Sequence, residues 1–286
     1  MNNILFTNFW QGLIYCLVAF FGIWVAKIFA DLRTTKFDDD REIEEKSNKG
    51  VGFRRAGLYI GIGIGIAGAL SGNAVHDFWT DLFTLIIDGT LITTCLFLGR
   101  EVCDKVMLAG INNDDEVQEG NTAVGLAECG MYLATGCILN GAFSGDGTVK
   151  LIIGLLSAIV FFVIGQIALC ICGYIYELIT SFNVKEEIKK NNAAAGLALG
   201  GILFALGIIL RASLTGDFVD WITDITSFSL CAGYGMLMLL VFKKLIDKFL
   251  LPNTSLRAEI KDQNVAALAM TEGAIIAVAL IISSVI

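Results

Sequence analysis

The sequence is poor in proline, histidine and charged residues, and these shortages narrow the range of functions. It has one proline, and its only histidine is His76, in a chain of 286 residues. One histidine is too few for a multi-histidine metal site. The sequence also lacks a glycine-rich phosphate loop, a metal-spaced Cys/His cluster and a nucleophile elbow. We therefore predict a protein that is not an enzyme and that holds neither a cofactor nor a metal ion.

The acidic and strongly apolar composition indicates a membrane protein. Charged residues make up 17% of the chain and the formal net charge is −8, which argues against nucleic acid as a partner. Hydrophobic residues make up 56%, and the mean hydropathy is +0.73. The eight cysteines fall within or at the ends of apolar segments. We interpret them as small packing residues of membrane helices, not as disulfides or metal ligands.

Eight apolar segments are long enough to cross a bilayer as helices, which takes about 20 residues each. Their length and the lack of alternating hydrophobicity favour helices over barrel strands. The links after the odd-numbered segments hold 18 of the 20 lysines and arginines, so the positive-inside rule predicts that these links are cytoplasmic and both termini are outside. We place the segments at residues 8–31, 52–71, 78–105, 122–143, 149–179, 193–213, 219–248 and 265–286.

One pattern recurs four times along the chain. Each copy begins with an asparagine at the start of an even-numbered segment, and a glycine follows nine residues later. The four residues, which we call the motif asparagines, are Asn48, Asn121, Asn192 and Asn264. They are 73, 71 and 72 residues apart, and four ungapped copies identify a repeat protein.

Each repeat is predicted to be a helical hairpin of about 72 residues, with one helix on either side of a cytoplasmic link. Two spans restore the orientation of the chain, so the four repeats are parallel. Residues 77–84 match residues 220–227 position by position, which indicates that a two-repeat module was duplicated. We therefore predict an all-α integral membrane protein with eight transmembrane helices in two four-helix modules, 1–145 and 146–286.

The motif asparagines are predicted to cap their helices, because an asparagine at a helix start accepts hydrogen bonds from the first-turn N–H groups. Four helix N-termini gathered on one side of the membrane also carry partial positive charge, so an anion-attracting vestibule is the alternative. The glycines Gly57, Gly61 and Gly65 have the spacing of closely packed membrane helices, with a backbone-lined pore as the alternative.

Acidic residues inside the apolar segments are the strongest functional signal, because a charge in lipid is costly unless it is paired or hydrated. Asp88 lies about ten residues into its segment, near the midplane. Asp81, Thr84 and Asp88 share one helix face, and Asp224 and Ser227 are the equivalents of the first two in the fourth repeat. This stripe is typical of a cation path, whereas a buried ion pair with a nearby cation is the structural alternative.

Opposite charges near the cytoplasmic ends of the even-numbered segments predict ion pairs between repeats. Arg55 and Glu128 occupy the same position of the first and second repeats, and Arg54 and Glu272 lie at adjacent positions of their own repeats. We predict an ion pair between Arg55 and Glu128. A gating pair is the alternative to a purely structural one.

The motifs resemble those of a family of small bacterial inner-membrane proteins of unassigned function, which have four helices and two Asn-x-Ala motifs. Asn121-Thr-Ala123, Asn192-Ala-Ala194 and Asn264-Val-Ala266 match this pattern, whereas Asn48-Lys-Gly50 has glycine in place of alanine. The resemblance covers nearly the whole chain and implies two family modules in tandem in a bacterial inner membrane. Members of the family are often encoded near glutathionylspermidine-synthase-like ligases and envelope-stress proteins, which implies a connection with polyamines or the cell envelope and no defined activity.

Two functional hypotheses follow. The first is a channel or transporter for a cation or small polar solute, with a path between the repeats lined by the acidic stripe. The second is a non-transporting scaffold or sensor whose basic cytoplasmic links, including the polar stretch 31–50, dock a peripheral partner. The expected partners are the lipid bilayer, cations or polyamines, further copies of the chain, or a peripheral cytoplasmic protein.

Overall fold

The computed structural model describes residues 2–34, 36–71, 77–145, 151–179 and 183–286. These ranges contain twelve α-helices and no strand, which confirms the all-α prediction. A π-helical turn, Cys103–Met107, extends the fourth helix. In chain order the helices are α1 (Asn2–Arg33), α2 (Asp39–Glu44), α3 (Lys49–Ala69), α4 (Phe78–Val102), α5 (Asn113–Gln118), α6 (Thr122–Ala142), α7 (Leu151–Ile179), α8 (Val184–Lys189), α9 (Ala193–Leu214), α10 (Trp221–Leu250), α11 (Leu256–Lys261) and α12 (Val265–Ser283).

Each repeat contains three helices in the same order. A long helix comes first (α1, α4, α7 or α10), and we call these the outer helices. A helix of six residues follows (α2, α5, α8 or α11), and we call these the link helices. The third helix begins directly after a motif asparagine (α3, α6, α9 or α12), and we call these the motif helices.

The same tight connection joins each link helix to its motif helix. The residue just before each motif asparagine has a left-handed backbone, and these residues are Ser47 (φ 53°), Gly120 (φ 87°), Asn191 (φ 58°) and Gln263 (φ 54°). Only one of the four is glycine, although a positive φ costs other residues roughly 1–3 kcal/mol. All four repeats therefore build the same turn in spite of different residues at this position.

The motif helices stand side by side in a single row. α6 packs between α3 and α9, and α12 packs on the other side of α9, whereas α3 and α12 are not packed together in the described structure. The outer helices follow the same order, because α4 contacts α3 and α6, α7 contacts α6 and α9, and α10 contacts α9 and α12. The four repeats therefore form a row with two open ends and do not enclose a centre.

Glycine brings the backbones of neighbouring motif helices into contact. A Cβ atom added at Gly57 would lie 2.6 Å from the Cα of Cys129, and one added at Gly130 would collide with the backbone of Gly200. As a result, 78% of the apolar stretch of α6 and 83% of that of α9 are buried, against 11% of that of α1. The boundary between modules 1–145 and 146–286 stays a prediction, because α6 and α9 pack there as α3 and α6 do.

Seven of the long helices are long and apolar enough to cross a membrane, which supports a multi-pass membrane protein. The exception among the eight is α3. It carries Arg54 and Arg55 in its first two turns and contains seven glycines, and both features lower its hydropathy. The eighth span and the orientation of the termini stay predictions.

Candidate functional site

Each motif asparagine occupies the N-cap of its motif helix. The side-chain oxygens of Asn48, Asn121, Asn192 and Asn264 accept hydrogen bonds from first-turn backbone N–H groups at 3.1 to 3.3 Å. Each bond satisfies a donor that has no partner inside the helix. The structure thus places all four residues in the capping role that the repeat pattern favours.

The amide nitrogens of these residues bond to the link helices. In all four repeats the amide donates to a glutamate five or six residues earlier, and these glutamates are Glu42, Glu116, Glu187 and Glu259. In the first three repeats the amide also donates to a carbonyl of the next repeat's link helix, from Val117, Ile188 and Ile260 respectively. We call this set of bonds the asparagine latch. It joins each motif helix to its own link helix and, in the first three repeats, to the following one.

Two of the four latch glutamates have a lowered pKa, which favours their charged form. Hydrogen bonds from Asn192 and Lys190 lower the pKa of Glu187. A hydrogen bond from Lys46, helped by one from Asn48, lowers the pKa of Glu42. Charged acceptors make hydrogen bonds roughly twice as strong as neutral ones, so the latch holds the link helices firmly.

A buried charge cluster lies between the first two repeats, and it consists of Arg54, Arg100, Asp104, Asp114 and Glu128. Arg54 of α3 donates to both carboxyl oxygens of Glu128 on α6 and, at 2.8 Å, to Asp114 of α5. Arg100 of α4 contacts Asp114, and its Nε lies 3.4 Å from Glu128. Both arginine side chains are 4% exposed and Glu128 is 0% exposed. Such charges are tolerated only because each is paired.

The predicted ion pair between Arg55 and Glu128 is wrong, because Arg54 takes that place. Arg55 contacts Asp31 on α1 and Asp39 at the start of α2. The cause is helix geometry, since adjacent residues point about 100° apart around a helix. Arg54 therefore faces the second repeat and Arg55 faces its own outer and link helices.

The equivalent region of the last two repeats has a different character. Leu199 stands in the third repeat where Glu128 stands in the second. In the fourth repeat Glu272 is 2% exposed and packs against Gly201 of α9. Its two carboxyl oxygens are buried and accept no hydrogen bond within the described residues, while Lys243 pairs with Asp247 at 3.1 Å. A buried carboxyl group without donors in a membrane helix is a candidate site for a proton or a cation.

The residues proposed for a transport path do not come together. They are Asp81, Thr84 and Asp88 on α4 and Asp224 and Ser227 on α10. These two outer helices are not packed together, and α7 lies between them along the row. Asp224 accepts a hydrogen bond from the Val219 N–H at 3.1 Å. Asp88 is half-buried and has neither a hydrogen bond nor an ion pair with the described residues.

Sequence reasoning missed the latch glutamates, the link helices and Asp114. A signal for the glutamates was present, because each motif asparagine follows a glutamate at a separation of five or six residues. Asp114 had no such signal, since it lies in a link helix of six residues and its contacts are with Arg54 and Arg100 on other helices.

Comparisons with known proteins agree with the repeat pattern. Two consecutive matches to the model of a Domain of Unknown Function (DUF350) cover residues 4–143 and 150–286. The chain is 24% identical to the UPF0719 transmembrane protein of Aquifex aeolicus (strain VF5) over 269 residues, which are 93% of this chain and 96% of the relative. It is 27% identical over 142 residues to the UPF0719 transmembrane protein YshE of Bacillus subtilis (strain 168), covering 49% of this chain and 100% of that relative. No solved structure matches. The predicted tandem duplication of a small membrane family is thus confirmed.

Proposed function

The chain belongs to the DUF350 family as two domains in tandem, and on that premise we propose that it is a non-transporting membrane scaffold. The observation that carries the proposal is the asparagine latch. Hydrogen bonds to charged acceptors hold four polar link helices in set positions on one side of the row. A rigid polar layer at a membrane surface suits a protein that positions a peripheral partner.

The packing of the row supports a scaffold over a channel that runs between the repeats. A path between α3 and α6, or between α6 and α9, needs a gap at the interface. At both interfaces glycine brings backbone against backbone, as Gly57 does with Cys129 and Gly130 with Gly200. Opening either one means separating two long helices that glycine holds in close contact.

Free cations on the last two link helices form the proposed docking surface. In the first two repeats most link cations pair within the chain, as Lys36 does with Asp115. Lys189 on α8 and Arg257 and Lys261 on α11 are exposed and have no ion pair within the described residues. Under the predicted orientation these residues face the cytoplasm, where they attract an acidic surface. We therefore take the partner to be an acidic peripheral protein.

Cation transport is the second candidate, and it is favoured by the carboxyl groups of Glu272 and Asp88, which accept no hydrogen bond from the described residues. Glu272 lies between α9, α10 and α12, with Gly201 on one side and the Lys243–Asp247 pair nearby. A transporter of this kind uses a path among these three helices and not one along the acidic stripe. The deciding property is whether replacing Glu272 or Asp88 changes the flux of an ion.

One experiment separates the two candidates. The chain is purified from its host membranes with peripheral proteins bound, in three forms. These are wild type, a Lys189→Glu/Arg257→Glu/Lys261→Glu variant, and a matched Arg41→Glu/Lys49→Glu/Lys105→Glu control with the same charge change in the first two repeats. We expect one acidic protein that is released by high salt, present with wild type and control and lost from the first variant.

For the transport candidate, wild type, Glu272→Gln and Asp88→Asn are each purified and reconstituted into lipid vesicles. The uptake of several cations and polyamines is then measured. We expect no uptake above protein-free vesicles. A flux that Glu272→Gln or Asp88→Asn removes establishes the second candidate and overturns the scaffold. A partner that survives the triple charge reversal equally contradicts the proposed docking surface.

A further inference from the structure

The interface that joins neighbouring repeats has two different sides. The glycine four residues after a motif asparagine faces the preceding repeat, as Gly125 faces Gly50. The glycine nine residues after it faces the following repeat, as Gly130 faces Gly200. We call the first side of a motif helix its back face and the second side its front face. Every junction in the row brings one front face against one back face.

The two ends of the row expose the two unused sides. Gly273 is the front-face glycine of α12 and Gly52 is the back-face glycine of α3, and a Cβ atom added at either would meet no other atom within 4 Å. The front face of α12 carries a line of exposed small residues, Ala266, Gly273, Ala277 and Ser284, with the exposed side chains of Met270 and Leu280 on either side of it. Small residues in a line allow a second helix to approach closely within a bilayer.

The asparagine latch ends at the same place. Asn192 is 0% exposed, and its amide reaches the Ile260 carbonyl of the next link helix at 2.7 Å. Asn264 is exposed and donates to its own Glu259, with no following link helix to supply a carbonyl in the described structure. Ile260 lies four residues before the next motif asparagine, and the first repeat has Glu44 at that position.

The outer helices show the same incomplete pattern. α4, α7 and α10 each pack against two motif helices, whereas within the described ranges α1 packs against one motif helix, α3. The apolar stretch of α1 is the least buried of the seven, at 11%. A motif helix placed against the back face of α3 completes the groove that α1 lacks. The link charges at the two ends are also complementary, since 36–49 holds six acidic and four basic residues and 243–262 holds five basic and three acidic residues.

We propose that copies of this chain associate head to tail, with α12 of one copy packed against α3 of the next. The internal junctions then predict the contacts: Gly273 meets Ala56, Gly52 meets Ala266, and the Asn264 amide donates to the Glu44 carbonyl. Because front and back faces differ, the contact is heterologous and continues into a closed ring or a longer row. This inference is independent of the scaffold function, since a transporter built from the same row has the same open ends.

Two substitutions test the proposal, because each one blocks a different face of the contact. Gly273→Leu blocks the front face and Gly52→Leu blocks the back face, and each variant alone is expected to be monomeric. Mixed in equal amounts, the two variants retain one matching pair of free faces and are expected to form dimers and nothing larger. Gly154→Leu is the control, because Gly154 lies on α7 in the third repeat with no atom near its Cβ position. It is expected to assemble like wild type.

The copy number is read by native mass spectrometry of protein released from lipid nanodiscs, and dimers in the mixture also show that both variants are folded. A monomeric wild type overturns the proposal. Assembly of either variant alone also overturns it, because it indicates a contact between like faces.

Should a leucine variant misfold, differently tagged copies carrying Gly52→Cys and Ala266→Cys replace the pair. A disulfide between the two differently tagged copies is expected to form in membranes, and its absence rejects the contact. The docking experiment on Lys189, Arg257 and Lys261 has a separate readout, so either proposal can fail alone.

Discussion

The junction between the first and second repeats differs from the junction between the second and third. Both bring motif helices together on glycine, and both bury them closely. Only the first contains buried charges, with Glu128 between Arg54 and Arg100, whereas Leu199 fills the position equivalent to Glu128 in the third repeat. The second junction packs without a buried ion pair, although Arg211 of α9 donates to Asn140 of α6 at 2.6 Å, so the cluster is not what holds motif helices together. Its contacts with Asp114 instead fix where the link helix α5 sits over α3.

Breaking the cluster is expected to have the largest effect. Glu128→Ala leaves two buried arginines without their main counterion, and removing one partner of a buried pair typically costs about 3–5 kcal/mol of unfolding free energy. Replacing the three most buried members, as Arg54→Leu/Arg100→Leu/Glu128→Leu, imitates the second junction and is expected to recover most of that loss. Thermal and denaturant unfolding in a mild detergent measures both. A triple variant as unstable as Glu128→Ala shows that the first junction cannot be made like the second.

Helices, repeats and caps were predictable because each depends on local sequence. Apolar length determines a membrane helix, and an asparagine at a helix start caps it whatever lies around it. The choice between Arg54 and Arg55 as the partner of Glu128 was not local, because it depends on how α3 is rotated about its axis against α6. One residue of error turns a side chain by about 100°.

The open-ended arrangement of the four motif helices could not be predicted from the sequence either. Glycine spacing predicts that motif helices approach closely, and it does not say whether the fourth helix returns to the first. That depends on the angle between successive repeats, which arises from many contacts along each junction. The link helices escaped notice because six residues are too few to show an apolar period. Because the link helices were not recognised, the glutamates within them could not be identified as partners of the motif asparagines.

The latch allows a comparison of the middle of the row with its end. Asn192→Ala removes a helix cap, typically worth about 1 kcal/mol, and also removes the buried hydrogen bond to the Ile260 carbonyl. That carbonyl still accepts a bond from the Gln263 N–H, so the lost bond adds about 0.5–1.5 kcal/mol. Asn264→Ala removes the cap and the bond to Glu259 alone, so we expect about 1 kcal/mol there. Unfolding of monomeric protein, carrying Gly273→Leu in both cases, keeps self-association from masking the difference. Equal losses indicate that the carbonyl bond of the interior latch contributes nothing.

The smallest expected effect is a pH dependence that only the first junction shows. Burial acts to raise the pKa of Asp114, but Arg100 and Arg54 outweigh it and hold the pKa below the ordinary value of 3.8. A lowered folded-state pKa means that the stabilisation is present above 3.8 and is lost as the pH falls through the folded value.

Between about pH 5 and pH 3, wild type should therefore lose more unfolding free energy than Asp114→Asn, which has no carboxylate to protonate at that position. Asp115→Asn is the control, because the contacts of this carboxylate, the ion pair with Lys36 and the hydrogen bond from Asn112, are exposed. It should follow the wild-type profile, offset by the small contribution of a surface pair. If the Asp114→Asn profile falls in parallel with wild type, Asp114 is not stabilised by the two arginines. The cluster then reduces to Glu128 and the arginines, and the positioning of α5 needs another cause.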